Sequence, residues 1–248
     1  MSRRVALVTG GARRIGAAIV RRLAADGFDV AIHCNGSRDE ADALAATLAP
    51  ARCTVLVADL ADADAASRLV PATVAALGRI DLLVNSASIF GTDTLQTFEV
   101  AEWDRHFAVN LRAPALLARD FAAAATRDGA AHPCIVNILD QRVFKLTPKS
   151  FSYTLTKTAL HAATTTMAQA LAPSIRVNAV APGPTLANIH DGVAGMAREA
   201  AGIPLVETVA PEAIADAVAW LVSARHVTGQ TIAVDGGQSI GWRTPDVF

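Results

Sequence analysis

The chain has 248 residues, of which 52 % are apolar and 18 % charged, with a formal net charge of -1. So apolar a composition fills a sizeable core and argues against disorder. Scattered Lys and Arg in near-neutral balance give no electrostatic case for nucleic acid or an anionic membrane surface.

Short apolar runs alternate with longer stretches of helical period. Strands are predicted at 4–9, 29–34, 53–58, 80–85, 134–139, 175–180 and 231–234, several of them apolar almost throughout, as for strands covered on both faces. Helices are predicted near 15–26, 39–48, 63–77, 102–125, 152–171 and 211–223. This alternation implies right-handed parallel crossovers and a doubly wound α/β sheet. Pro71 falls inside the third helix, where a kink or break is expected. No linker, repeat or composition shift divides the chain, so one domain over 1–248 is expected. Cys34, Cys53 and Cys134 lie in strand-like runs without CxxC or a nearby histidine, and read as buried free thiols in a reducing compartment, with no metal. No run approaches the roughly 18 apolar residues of a bilayer span. The apolar run Val5–Val8 is too short for a signal peptide, so a cytoplasmic location is expected.

The first strand runs into Thr9-Gly10-Gly11-Ala12-Arg13-Arg14-Ile15-Gly16, where a helix opens. Glycines at such a turn let backbone N–H groups approach a pyrophosphate, and the helix N-terminus adds positive potential. A tight turn without a ligand is the alternative. After the second strand, an NAD site offers an acidic side chain to the ribose hydroxyls. The stretch His33-Cys34-Asn35-Gly36-Ser37-Arg38 has none before Asp39. Ser37 and Arg38, with His33 and Arg13, suit a 2′-phosphate instead, which favours NADP(H). A solvated helix start, and for His33 a satisfied strand-end histidine, are the plainer readings.

Tyr153 and Lys157 lie four apart on a predicted helix and so share a face. A phenol titrates near about 10, and a neighbouring ammonium would bring it toward working pH. Asp140 follows the fifth strand directly. Ionised, it can only accept hydrogen bonds, which suits an aminopyrimidine or a protonatable ring nitrogen better than a ketone oxygen. A helix N-cap or loop aspartate is the alternative.

These residues resemble the short-chain dehydrogenase/reductase family over residues 5–237. Gly10 and Gly16 match its TGxxxGxG turn, with Arg14 in place of the middle glycine. The resemblance implies cofactor contacts at Gly10, Arg13, Arg14, Ile15 and Gly16. It also places Asp59 and Leu60 at the adenine position and matches Asn85-Ser86-Ala87-Ser88 to the NNAG motif. Pro182-Gly183-Pro184-Thr185 matches the PG motif that meets the nicotinamide amide. Tyr153 and Lys157 match its catalytic pair, and Asn110 its helix asparagine that supports the lysine through water. The family's usual serine, about thirteen residues before the tyrosine, is replaced by Asp140. Arg13-Arg14-Ile15-Gly16, Ser88 and the Asp140–Tyr153–Lys157 set resemble the pteridine reductase branch. There Arg14, Ser88, Asp140 and Tyr153 would meet substrate, and Phe90 would stack on it; a core aromatic under a loop is the other reading of Phe90.

The resemblance implies a single-domain Rossmann fold with a seven-stranded parallel sheet, a mobile substrate lid over 186–207 and a homotetramer, in which the tail 239–248, with Trp242 and Phe248, would close a neighbour's site. The expected reaction is hydride transfer from NADPH to a C=N or C=C–N carbon of a dihydropterin. Tyr153 would donate the proton, or fix the ring while Asp140 relays one. The rival expectations are a ketone, quinone or acyl-carrier reductase and a non-catalytic NADPH-binding regulator.

Overall fold

A computed structural model describes residues 3–127, 130–185 and 201–242. Most of the expected lid, residues 186–200, and the tail from 243 onward, with Phe248, lie outside the described residues.

The strands are β1 (Arg4–Val8), β2 (Phe28–Cys34), β3 (Cys53–Val57), β4 (Leu82–Asn85), β5 (Cys134–Ile138), β6 (Arg176–Pro182) and β7 (Thr231–Val234). They form one sheet in the order β3-β2-β1-β4-β5-β6-β7, and every pair is parallel. The helices are α1 (Arg14–Ala25), α2 (Arg38–Ala46), α3 (Ala63–Leu77), α4 (Val100–Phe107), α5 (Ala113–Arg127), α6 (Phe151–Leu171) and α7 (Pro211–Ser223).

Successive strand side chains point to opposite faces, and both faces are covered. Ala6, Val8, Leu82, Val84 and Val136 pack with Ile19, Leu23, Val218 and Leu221 from α1 and α7. Leu7, Leu83 and Ile135, one residue out of step, pack with Leu69, Val70, Leu117 and Phe121 from α3 and α5. Fully covered central strands can therefore be apolar at every position. The strand order reverses between β1 and β4, which opens a crevice at the carboxyl ends of the strands.

Two helices depart from expectation. The predicted 102–125 helix is divided by a π-helical segment, Ala108–Arg112, whose wide register shows in the Ala113 N–H bonding to Ala108 O. Pro114 supplies the reason: it has no N–H to give Asn110 O four residues back, so the ladder widens there. The expected break at Pro71 does not occur, and α3 runs unbroken from Ala63 to Leu77. Pro71 lies on its exposed face, where water can serve the carbonyl left over.

Cys34 and Cys134 are buried, Cys53 is half-buried, and all three are free thiols. Among the described residues no helix is long and apolar enough to cross a membrane, and no His/Cys/Asp/Glu group is arranged for a metal ion.

Candidate active site

The glycine turn is built for close backbone approach. A Cβ on Gly16 would stand 2.1 Å from Gly10 O, and one on Gly10, at φ +63°, would stand 2.9 Å from Ala87 Cα. Arg14 has φ +53° and so adopts the left-handed conformation that a glycine takes without strain. The turn thus carries a guanidinium at a backbone conformation that favours glycine. Arg13, the residue before α1, gives its first turn no side-chain cap.

The turn is braced from below. Thr9 Oγ1 accepts the N–H groups of Ser86 and Ala87 at 3.0 and 3.1 Å. His33 Nδ1 accepts the Gly10 N–H at 3.2 Å, and Nε2 donates to Ala58 O at 3.1 Å. Burial lowers the His33 pKa, with the Ala58 hydrogen bond and Asp59 opposing. The expectation of a phosphate-binding histidine is corrected accordingly: both ring nitrogens are committed to backbone, and the ring supports the turn.

One cavity of about 510 Å³ lies over Gly10, Gly16, Ser37, Asp59 and Leu60. Arg13 stands on its wall, 3.4 Å from Glu40. Arg38 is not on that wall; its Nε donates to Asp42 along α2 at 3.2 Å. Arg105, unforeseen in the sequence, also lines the cavity and stands 3.7 Å from Asp59.

A second cavity of about 420 Å³ holds Phe90, Asp140, Arg142, Tyr153 and Lys157, with Pro182, Gly183 and Thr185 on its far side. Arg14, Ile15, Ser86 and Ser88 line both cavities, so they meet in one trough along the carboxyl edge of the sheet. Gly183 is forced to be bare there, because a Cβ would stand 2.7 Å from Asp235 Cα. A cradle that side-chain atoms would fill, beside an uncapped helix terminus and a trough of this length, fits an extended dinucleotide. Ser37 and Arg13 would face its adenosine end, Lys157 and Thr185 its nicotinamide end.

The Tyr153 hydroxyl donates to Asp140 Oδ2 at 3.0 Å. Asp140 Oδ1 accepts the Arg142 N–H at 2.9 Å, and Arg142 Nη1 stands 3.2 Å from Oδ2. Asp140 thus caps the short 3-10 turn Gln141–Val143, the plainer of its two readings, and also accepts the phenol hydrogen. Phe90 is 37 % exposed and meets Tyr153 edge to face at 4.9 Å, on the cavity wall rather than in the core.

The phenol is not brought toward neutral pH as expected. Burial holds the Tyr153 pKa well above the phenol value, and the charge and hydrogen bond of Asp140 push the same way. Lys157 Nζ donates to Ile138 O at 2.8 Å and stands 5.7 Å from the phenol ring centroid. Burial brings its own pKa down to about 8, against the charge of Asp140.

Asn110, fully buried in the π-helical segment, accepts from the Ile89 N–H at 2.9 Å and from Ser88 Oγ at 3.2 Å. Its Nδ2 donates to Ile89 O and to Thr156 Oγ1, and Thr156 donates to Tyr153 O. It therefore ties the Ser88–Phe90 loop to the first turn of α6. Asp93 adds a second tie that no local sequence signal shows: its carboxylate accepts from the N–H and hydroxyl of Ser152. That satisfies an orphan donor and sets a negative charge at the start of α6. Arg142 was also missed, although its place two residues after Asp140 was the available signal.

A doubly wound sheet, a bare glycine turn at its switch point and a Tyr–Lys pair on the adjoining helix define an oxidoreductase of the short-chain dehydrogenase/reductase family, and the chain belongs to that family. A family model for enoyl-(acyl carrier protein) reductases matches residues 10–239. Among solved structures, FolM alternative dihydrofolate reductase 1 from Brucella canis, complexed with NADP, is 46 % identical at a TM-score of 0.94, over 100 % of this chain and 98 % of that one. An uncharacterized oxidoreductase of Methylorubrum extorquens is 38 % identical over 94 % of this chain and 97 % of its own length. The 3-oxoacyl-[acyl-carrier-protein] reductase FabG of Staphylococcus aureus is 32 % identical over 94 % and 96 %.

Proposed function

We propose that this chain is an NADPH-dependent reductase of a pterin-type heterocycle. The observation that carries the reading is the Asp140 carboxylate, which takes the Tyr153 hydroxyl hydrogen at 3.0 Å inside the Phe90-walled cavity. A carboxylate accepts from the amino group and ring N–H of an aminopyrimidine, and it gives nothing to a ketone oxygen. The similarity to a FolM dihydrofolate reductase solved with NADP supports both the cofactor and the substrate class.

The dinucleotide supplies a hydride when bound. Arg13 and Ser37 would hold its 2′-phosphate, Arg14 and the glycine turn its pyrophosphate, and Lys157 a ribose hydroxyl. Tyr153 holds a proton at its hydroxyl, in reach of a ring nitrogen in the cavity, and Asp140 orients that ring. Phe90 offers an apolar face to one side of it and keeps water away.

A substrate panel tests the reading. NADPH oxidation is expected with dihydropterins such as dihydrobiopterin and not with simple ketones or 3-oxoacyl thioesters. Asp140→Ser should lower pterin turnover by about 100-fold, the loss expected for one charge-assisted contact. Efficient turnover of a 3-oxoacyl thioester by the unaltered protein, with none of dihydropterins, would favour the FabG-like alternative.

Lys157 sets a pH dependence. With its pKa at about 8, the ammonium that holds the ribose is present below that pH and lost above it. The Kd for NADPH should therefore rise about tenfold between pH 7 and pH 9. Lys157→Met should bind more weakly throughout and show no such rise. A flat profile in the unaltered protein would remove the ammonium from cofactor binding.

A further inference from the structure

The Asp140–Tyr153 contact poses a charge problem that the Tyr–Lys pair does not solve. When the phenol O–H bond breaks and its proton forms a bond to a substrate nitrogen, the residual phenolate stands hydrogen-bond distance from a carboxylate. Two anions then share a site in which Tyr153 is 7 % and Lys157 2 % exposed. Unpaired charge in such a place is costly. Lys157 supplies one positive charge, and its ammonium is already engaged with Ile138 O.

The second cation is Arg142. Its backbone N–H and its guanidinium take opposite oxygens of Asp140, at 2.9 and 3.2 Å. The guanidinium carbon stands 6.0 Å from the Tyr153 ring centroid and 5.5 Å from that of Phe90. Its side chain is only 20 % exposed, so solvent screens it little. The turn Gln141–Val143 makes this geometry local: it folds Arg142 back onto the carboxylate two residues before it.

We propose that Arg142 is a positioning residue that fixes the Asp140 carboxylate and offsets the charge left on Tyr153 when the phenol proton moves to substrate. The inference rests on the reductive reading above. At the phenol ring itself Asp140 and the phenolate contribute two negatives and Arg142 and Lys157 two positives, while Arg14 also lines the cavity. In keeping with this, burial and Asp140 raise the phenol while Arg142 works against them.

Tyr153 is the only tyrosine, so a 13C-tyrosine label gives one signal that reports this phenol alone. Arg142→Gln should shift that signal at neutral pH in the cofactor-bound protein. It should also lower kcat by about 10- to 100-fold, the span of one contact to a charged group, with the Kd for NADPH unchanged. Arg142→Lys keeps the charge and should recover kcat to within about fivefold of the unaltered protein, short of full recovery because the fork is lost. NADPH binding confirms that each variant is folded. Unchanged kcat in Arg142→Gln overturns the proposal whatever the tyrosine signal does, as does an unshifted signal or an Arg142→Lys variant no better than Arg142→Gln. The kcat comparison uses whichever substrate the panel selects. Selection of a ketone would sink the pterin reading and leave this comparison intact; normal pterin turnover by Arg142→Gln would sink the Arg142 role and leave the pterin reading intact.

Discussion

Tyr153→Phe should reduce turnover by about 10³-fold, within the range ascribed to a positioned general acid, and leave the Kd for NADPH within a factor of about two. The ring survives in this variant, and with it the edge-to-face packing on Phe90 at 4.9 Å. Asp140 keeps both of its contacts to Arg142, so the carboxylate stays placed. Only the hydroxyl hydrogen at Asp140 Oδ2 is gone. The effect should therefore fall on kcat, with the thermal midpoint little changed. Steady-state kinetics with a dihydropterin and a separate dinucleotide titration read the two quantities. Turnover within tenfold of the unaltered protein would remove Tyr153 from the proton transfer.

Gly16→Ala should abolish measurable dinucleotide binding and destabilise the fold by about 2–4 kcal/mol, as expected when backbone must move to admit a methyl group. The new Cβ would meet Gly10 O at 2.1 Å and Gly11 Cα at 3.0 Å, both fixed backbone atoms. Relief requires the turn to open, and Gly10 cannot retreat because Ala87 already stands against it. Gly36→Ala is the control for stability, since a Cβ there meets nothing within 4 Å. Fluorescence titration with NADPH and denaturant melts of both variants decide the matter. Normal binding by Gly16→Ala would mean that the cradle does not receive the pyrophosphate.

Arg14 gives the complementary case. Its left-handed φ of +53° carries strain that Arg14→Gly would relieve by about 1 kcal/mol. The chain nevertheless holds an arginine there, on the wall of both cavities. A residue kept against its own backbone preference points to use at the site.

What the sequence determined by itself is whatever depends on chain geometry of short range. Short apolar runs marked the seven strands, and strand–helix alternation implied a parallel, doubly wound sheet; the strand order and the partly exposed edge strands β3 and β7 came from the fold. The i,i+4 placement of Tyr153 and Lys157, the glycine turn after β1 and the carboxylate at the end of β5 were equally plain, because backbone periodicity alone aims them. Even the π-helical segment has a local sign in Pro114. The tertiary structure alone decided which groups meet. Asp93 reaches Ser152 across 59 residues and Asn110 reaches Thr156 across 46. His33 turned out to brace the turn, Arg38 to pair along its own helix and Lys157 to bond Ile138 O rather than the phenol. A long side chain has many rotamers of similar energy, and which one it keeps is fixed only when packing brings a partner within about 3 Å. Residue types therefore announced a carboxylate, a phenol and an ammonium near one end of the sheet, while the ion pair of Arg142 with Asp140 was settled by folding.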